Sequence, residues 1–239
     1  MQQKLGRADM HMHTDVSDGA ASVGALLKYV DTLDLDVIAI TDHDRLDASL
    51  YAYEYQDTYS FEVVPGMEVT SHEGHVLAWW VTEPVPAGMT LEETAQAVHE
   101  AGGIAVLAHP FHMHVKETRR GVARYWNDLD LIRRAGFDGV EVVNAGNVIL
   151  GVNGWAKLAL RGLGLAYLGN SDAHTLTGIG SASTGFQGKT AADLRRAIAA
   201  RTTFPNGGLW SVTAYADYVK GVLDGSIVYT PHEADRAEA

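Results

Sequence analysis

The chain has no cysteine, so disulfide bonds and thiolate metal sites are both excluded. It has no apolar run approaching the length of a membrane span. Its N-terminal stretch, MQQKLGRADMHMH, lacks the apolar region of a secretory signal. Positive charge is also scarce: 18 Lys and Arg stand against 30 Asp and Glu, for a formal net charge of −12. A long nucleic-acid or anionic-membrane surface needs a basic face that this composition does not supply. Repeats, low-complexity tracts and linker-like stretches are missing too. These absences lead to the expectation of a single cytoplasmic domain that takes a small molecule; they leave its oligomeric state open.

What is present supports a large core. Hydrophobic residues make up 46% of the 239 positions. Short runs rich in Val, Ile and Leu read as strands: 8–13, 36–40 (DVIAI), 61–64 (FEVV), 75–81 (HVLAWWV), 104–107 (IAVL), 139–143 (GVEVV) and 165–168 (LAYL). Amphipathic stretches at 23–33, 91–101, 128–135, 155–162 and 191–200 read as helices between them. Strands alternating with helices predict an α/β fold around a parallel sheet, open or closed into a barrel. The domain is expected over residues 1–229, with a fraying polar tail at 230–239.

Polar groups gather where these strands end. The first ends in His11 and His13, with Asp18 beyond; the second in Asp42 and His43; the third in Glu68, after Pro65-Gly66-Met67. His75 opens the fourth, His109 follows the fifth, Asn144 the sixth, and the seventh runs into Asn170-Ser171-Asp172-Ala173-His174. Residues i and i+2 of a strand share a face, so His11 and His13 point together. Taken singly, a strand-end His is most often a hydrogen-bonded structural residue, and a lone Asp most often caps a helix. Together, six of the eleven histidines fall in these motifs. Clustered imidazole and carboxylate suit zinc, iron or manganese.

The segments HMHTDVSDG, ITDHD, PGMEV, GHVLAWW, LAHP, GVEVVN and GNSDAH resemble, in order, the motifs of the PHP (polymerase and histidinol phosphatase) metal-dependent hydrolases. The resemblance implies a distorted (β/α)7 barrel with a trinuclear metal site at the C-terminal ends of the strands. By motif, His11, His13, Glu68 and Asp172 would hold a first ion. Glu68 would bridge to a second held by His75 and His109, and Asp18, His43 and His174 would hold a third. His75 fits the motif better than His72, and Thr14 stands where many relatives have Ser.

Two to three divalent ions (Zn, Mn or Fe) would then serve a phosphoesterase, a metal-bridging hydroxide attacking the phosphorus of a small phosphorylated substrate. Glu68, Asp172 and His174 would be catalytic. The alternative is a carboxyl or carbamate ester or amide hydrolase on the same site; a nuclease or a non-catalytic scaffold fits less well. The segment after His109 concentrates Lys116, Arg119, Arg120 and Arg124 in an otherwise acidic chain. On a helix, Lys116, Arg120 and Arg124 share a face that either receives a second substrate anion or is simply solvated. His112 and His114 beside it either support the metal ligands from behind or are simply exposed, and Asn144 and Asn147 are candidate substrate contacts. Between Val81 and Gly103 there is room for one helix, so no large inserted domain is expected there.

Overall fold

A computed structural model describes residues 5–113, 115–147 and 149–228. The expected tail at 230–239 and the candidate His114 lie outside the described residues. Ten strands are found among them: β1 (Leu5–Asp9), β2 (Val37–Ile38), β3 (Glu62–Val63), β4 (Gly66–Ser71), β5 (Gly74–Trp79), β6 (Ile104–Leu107), β7 (Gly139–Asn144), β8 (Ala166–Asn170), β9 (Ala182–Gln187) and β10 (Phe204–Gly207). Eight α-helices accompany them: α1 (Val23–Val30), α2 (Asp47–Glu54), α3 (Leu91–Glu100), α4 (Lys116–Tyr125), α5 (Asp130–Arg134), α6 (Val152–Ala159), α7 (Ala191–Ala200) and α8 (Val212–Asp224). None is long and apolar enough to cross a membrane.

The α/β class holds; among the described residues the strands pair in two mixed sheets rather than one parallel sheet, and no closed barrel is detected. The strands form two five-stranded sheets, in the orders β10-β9-β1-β2-β3 and β4-β5-β6-β7-β8. Both are mixed. β1, β2 and β3 run parallel, as do β6, β7 and β8; β9 is antiparallel to β1 and β10, and β5 to β4 and β6. The physical reason lies at Pro65-Gly66. The pair reads as a turn that ends a strand, yet Gly66 opens β4. A Cβ there would lie 2.8 Å from the Ala78 carbonyl oxygen, so glycine permits the close β4–β5 pairing. A tight turn then returns the chain as β5, antiparallel.

Local joins link the sheets instead of a continuous ladder, among them an isolated parallel bridge between Met12 and Ala173. The Thr184 hydroxyl of β9 accepts from the Gly169 N–H of β8 (3.0 Å) and donates to the Gly169 carbonyl (2.9 Å). At the other side, His43 and Glu68 form an isolated parallel bridge. Helix α7 has the bounds its pattern predicts, and both α3 and α7 begin in capping boxes, Thr90 with Glu93 and Thr190 with Asp193. One helix, α3, fills the interval between Val81 and Gly103, as expected.

Trp79 of β5 shows how the two sheets share a core. It is fully buried among Ala8, Met10, Val37 and Phe186 from the first sheet and its extensions. Its indole N–H donates to the Met10 carbonyl at 3.0 Å. Replacing Trp79 by Ala should cost about 3–5 kcal/mol in urea unfolding, the range for a large buried aromatic. Trp79→Phe, which keeps most of the packing but orphans the Met10 carbonyl, should cost less; equal losses would show that the ring packing is immaterial and that the hydrogen bond lost in both variants carries the effect.

Candidate metal centre

Beyond β1 the chain leaves the ladder and runs beside residues 170–174. The Asp172 N–H donates to the His11 carbonyl (2.8 Å) and the His13 N–H to the Ala173 carbonyl (2.9 Å). Asp9 secures the start of this arrangement, accepting from the N–H groups of Ser171 (2.9 Å) and Gly180 (2.8 Å). Burial pushes the Asp9 carboxyl up to about 6 against the pull of those hydrogen bonds. Asp42 organises the following loop by accepting from the Thr14 N–H (2.8 Å) and from the Thr14 and Ser17 hydroxyls (2.6 Å each). That loop carries Asp18 toward His13, His43 and His174.

Glu68 lies at the centre, completely buried. Its Oε1 is 2.9 Å from His75 Nδ1 and 3.0 Å from His109 Nε2. Its Oε2 is 3.0 Å from His11 Nε2, 3.3 Å from His13 Nε2 and 3.5 Å from His43 Nδ1. Asp172 Oδ1 lies 3.4 Å from His11 Nε2 and 3.3 Å from His13 Nε2. Asp18 lies 3.2 Å from His174 Nε2, 3.6 Å from His43 Nε2 and 3.5 Å from His13 Nδ1. All nine ligand positions expected from the sequence thus converge in one place. Their division among three ions is less tidy than the motifs imply. Ligand-competent atoms group as His13, Asp18, His43 and His174; as His43, Glu68 and His75; as His11, His13 and Asp172; and as His11, Glu68 and His109. His109, His112 and Asp172 make a further such group.

These residues fit divalent cations. His75 Nε2, His109 Nδ1 and both ring nitrogens of His13 are buried without a hydrogen-bond partner. Buried polar atoms are rarely left in that state, and imidazole nitrogen is a transition-metal donor. The backbone is strained in the same place: His109 has φ 24° and Asp172 φ 51°, left-handed values that non-glycine residues seldom adopt. The electrostatics are consistent. Burial alone would lower the pKa of His13, yet Asp18, Asp172 and Glu68 outweigh it and raise it to about 10. Burial alone would raise the pKa of Glu68 and of Asp172, yet the surrounding imidazoles hold both well below the usual carboxylate range. The cluster draws positive charge, which protons or metal cations can supply.

A buried layer behind the ligands was not read from the sequence. Glu141 of β7 meets His11 Nδ1 (3.1 Å) and accepts from the His109 N–H (3.0 Å), the Asn144 amide (2.8 Å) and the Asn170 amide (2.9 Å). Its signal was a glutamate inside the apolar run GVEVV. A register shift between Glu141 and Val143 brings Asn144, three residues on, to the same side. Asn144 was expected to touch substrate. Its amide instead donates to Glu141 and, at 2.9 Å, to Asp172. The Asn147 amide donates to Asn153 at 2.9 Å.

A cavity of about 610 Å³ opens on the cluster, within the usual range for small-molecule sites. Of the basic residues on α4, Lys116 lines it. Arg124 is engaged by Glu73 (2.9 Å) and Glu92, Arg120 lies 3.7 Å from Glu117, and Arg119 donates to the Met113 carbonyl (3.1 Å). The structure therefore does not bring the four together at the cavity. Glu117 and His112 do line it, as does Tyr218 of α8, whose ring stands edge-on to His174 with centroids 5.8 Å apart.

Comparison with known proteins agrees with this geometry. Residues 9–139 match the family model described as the PHP domain, and residues 152–203 the model described as PHP-associated. An uncharacterized protein of Methanocaldococcus jannaschii, MJ1587, is 31% identical over 150 residues, which cover 58% of this chain and 82% of that protein. Among solved structures, a two-domain protein from Bacteroides vulgatus containing a predicted PHP-like metal-dependent phosphoesterase superposes with a TM-score of 0.71 at 18% identity, covering 86% of this chain and 66% of that one. The chain thus spans just under two thirds of that protein's length. An amidohydrolase from Chromobacterium violaceum gives a TM-score of 0.59 at 17% identity, covering 82% of this chain and 97% of that one.

The layer behind the ligands is open to test. Glu141→Gln keeps the shape but removes the charge facing His11, and should weaken divalent-metal affinity by roughly 10–100-fold, measured by competition with a chromogenic chelator. Unchanged affinity would show that Glu141 only fills space.

Proposed function

The chain belongs to the PHP family of metal-dependent hydrolases, and from that premise we propose that it cleaves phosphate esters of a small molecule. The observation that supports this most is the clustering of nine metal-competent side chains with Glu68 at the centre, seven of them lining a cavity that Lys116 also lines. Divalent ions bound there would supply the Lewis acidity and the activated water that attack at phosphorus requires.

The protein's own part is to hold and to orient. Glu68 offers one oxygen to His75 and His109 and the other to His11, His13 and His43, so a single carboxylate can serve two neighbouring ions. Asp172 would complete the first of these sites. Asp18, His43 and His174 would make the third, nearest the cavity wall built by α8. Glu141 faces His11 Nδ1, which leaves Nε2 to face the cluster and sets the tautomer. Lys116 stands where an anionic substrate oxygen can meet it. His174 lines the cavity and is placed to contact the substrate as well as an ion.

Hydrolysis of carboxyl or carbamate esters or amides on the same site is the second reading. The likeness to an amidohydrolase lends it weight as a chemistry hosted by this fold. Nuclease activity is disfavoured by the net charge of −12. We place the protein in the cytoplasm, consistent with a cysteine-free chain.

A panel of chromogenic phosphate mono-, di- and triesters set beside carboxyl esters tests the central claim: phosphate esters should be turned over and carboxyl esters not, and the reverse would overturn it. Protein purified without chelators should contain two to three metal equivalents by elemental analysis. Glu68→Ala should lose both metal and activity. Lys116→Ala should raise KM by about tenfold for dianionic esters with little change in kcat, the loss expected of one charge-assisted hydrogen bond.

A further inference from the structure

The cavity is not uniform along its length, and its two ends are built by different elements. At one end stand groups from α4 and the segment before it. The His112 ring packs edge-on to His109 with centroids 5.3 Å apart, and the Glu117 charge acts on His75. Lys116 completes that polar end. At the other end stands α8, with the turn that follows it. Tyr218, Val222 and Ile227 line the cavity there, and none carries a charge.

Helix α8 is fixed where it stands. Trp210, just before it, donates its indole N–H to the Ser171 carbonyl at 2.8 Å, one residue from the candidate ligand Asp172. Asp217 accepts from the Thr177 hydroxyl at 2.7 Å, and the Tyr215 hydroxyl donates to the Asn147 carbonyl at 3.2 Å. Ile227 folds back on the helix, its N–H bonded to the Gly221 carbonyl at 3.0 Å. Gly221 makes room for it, since a Cβ there would fall 2.6 Å from Ile227 Cδ1. Both family-model matches end before α8 begins, at residues 139 and 203. The wall therefore lies outside both matched segments.

We propose that α8 is the element that selects the substrate, with Tyr218, Val222 and Ile227 forming an apolar subsite for an aromatic-sized, uncharged substituent on the phosphoryl group. The proposal rests on the phosphate-ester reading above. A phosphoryl group lying on the ligand cluster has two directions in which to extend its ester substituent. Toward α4 the substituent meets Lys116, Glu117 and His112 beside Val115, a mostly polar lining that favours a polar or charged group. Toward α8 it meets an aromatic ring and two aliphatic side chains, against which an apolar group leaves water. Val222 is half exposed at the cavity mouth, so the subsite admits a ring from solvent. A polyol substituent would give up several hydrogen bonds to water there, with the Tyr218 hydroxyl as the one polar group of the three side chains to replace them.

Phosphonates separate recognition from turnover, because their P–C bond is not hydrolysed. Calorimetric titration of the Mn2+-loaded protein should give phenylphosphonate a Kd roughly tenfold or more below that of methylphosphonate. Tyr218→Ala and Val222→Ser should each erase much of that difference, by about three- to tenfold, and act on phenylphosphonate more than on methylphosphonate. Val222→Ser changes a half-exposed position and so guards against loss of fold. Equal affinity for the two phosphonates, or equal weakening of both by the variants, overturns the α8 proposal and leaves the phosphate reading standing. Binding of neither by metal-loaded protein overturns both.

Discussion

The molecule is organised around one buried carboxylate. Glu68 has no access to solvent, yet five imidazoles face its two oxygens. An ionised carboxylate in such a place is tenable only if positive charge is delivered to it. The rest of the site follows from that need. Histidines come from both sheets, Asp18 and Asp172 flank the cluster, and Glu141 with Asn144 and Asn170 hold the outer faces of the ligands. The strained backbone at His109 and Asp172 is a further cost of bringing these groups together.

Much of this cluster was legible in the sequence because histidines and carboxylates at strand ends are chemically conspicuous. His-x-His at the end of an apolar run, Asp-His after DVIAI and Asp-x-His after LAYL are positions where packing alone has little use for such residues. Glu141 escaped notice although it is as deeply buried as any ligand. It sits within a run of valines, and nothing local shows that a register shift sets it and Asn144 on one side. Asn144 was read as reaching toward substrate, but whether its amide faces the cavity or the carboxylates behind it is decided by that same shift.

The fold was legible in its parts rather than in its pairing. Periodicity marked β6 and α7 at their true bounds and most other elements nearly so. It missed β4, whose first residue looked like the end of a turn, and β9, β10 and α8, which lack a clear apolar period. α2 was missed as well, its tyrosine-rich YAYEY fitting neither pattern. Strand direction is a matter of long-range partners. The tight β4–β5 connection makes a hairpin where a crossover was expected, and the strands pair in two mixed sheets.

The His43–Glu68 bridge, the Thr184–Gly169 link and the Met12–Ala173 bridge join those sheets, and the candidate ligands are divided across them. His11, His13 and His43 come from the first sheet's side, Glu68, His75 and His109 from the second's, and Asp172 and His174 from the segment that leads back to the first. No short stretch of chain holds a working subset. Ligands this far apart in sequence make the site a late event in folding, since most of the loop-closure entropy must be overcome before the last of them arrives. Metal bound there would act as a clasp, stabilising the native state over any form in which the sheets have parted. The protein's metal content would then become a record of its folded population, since chains that lose the seam would lose the ions with it.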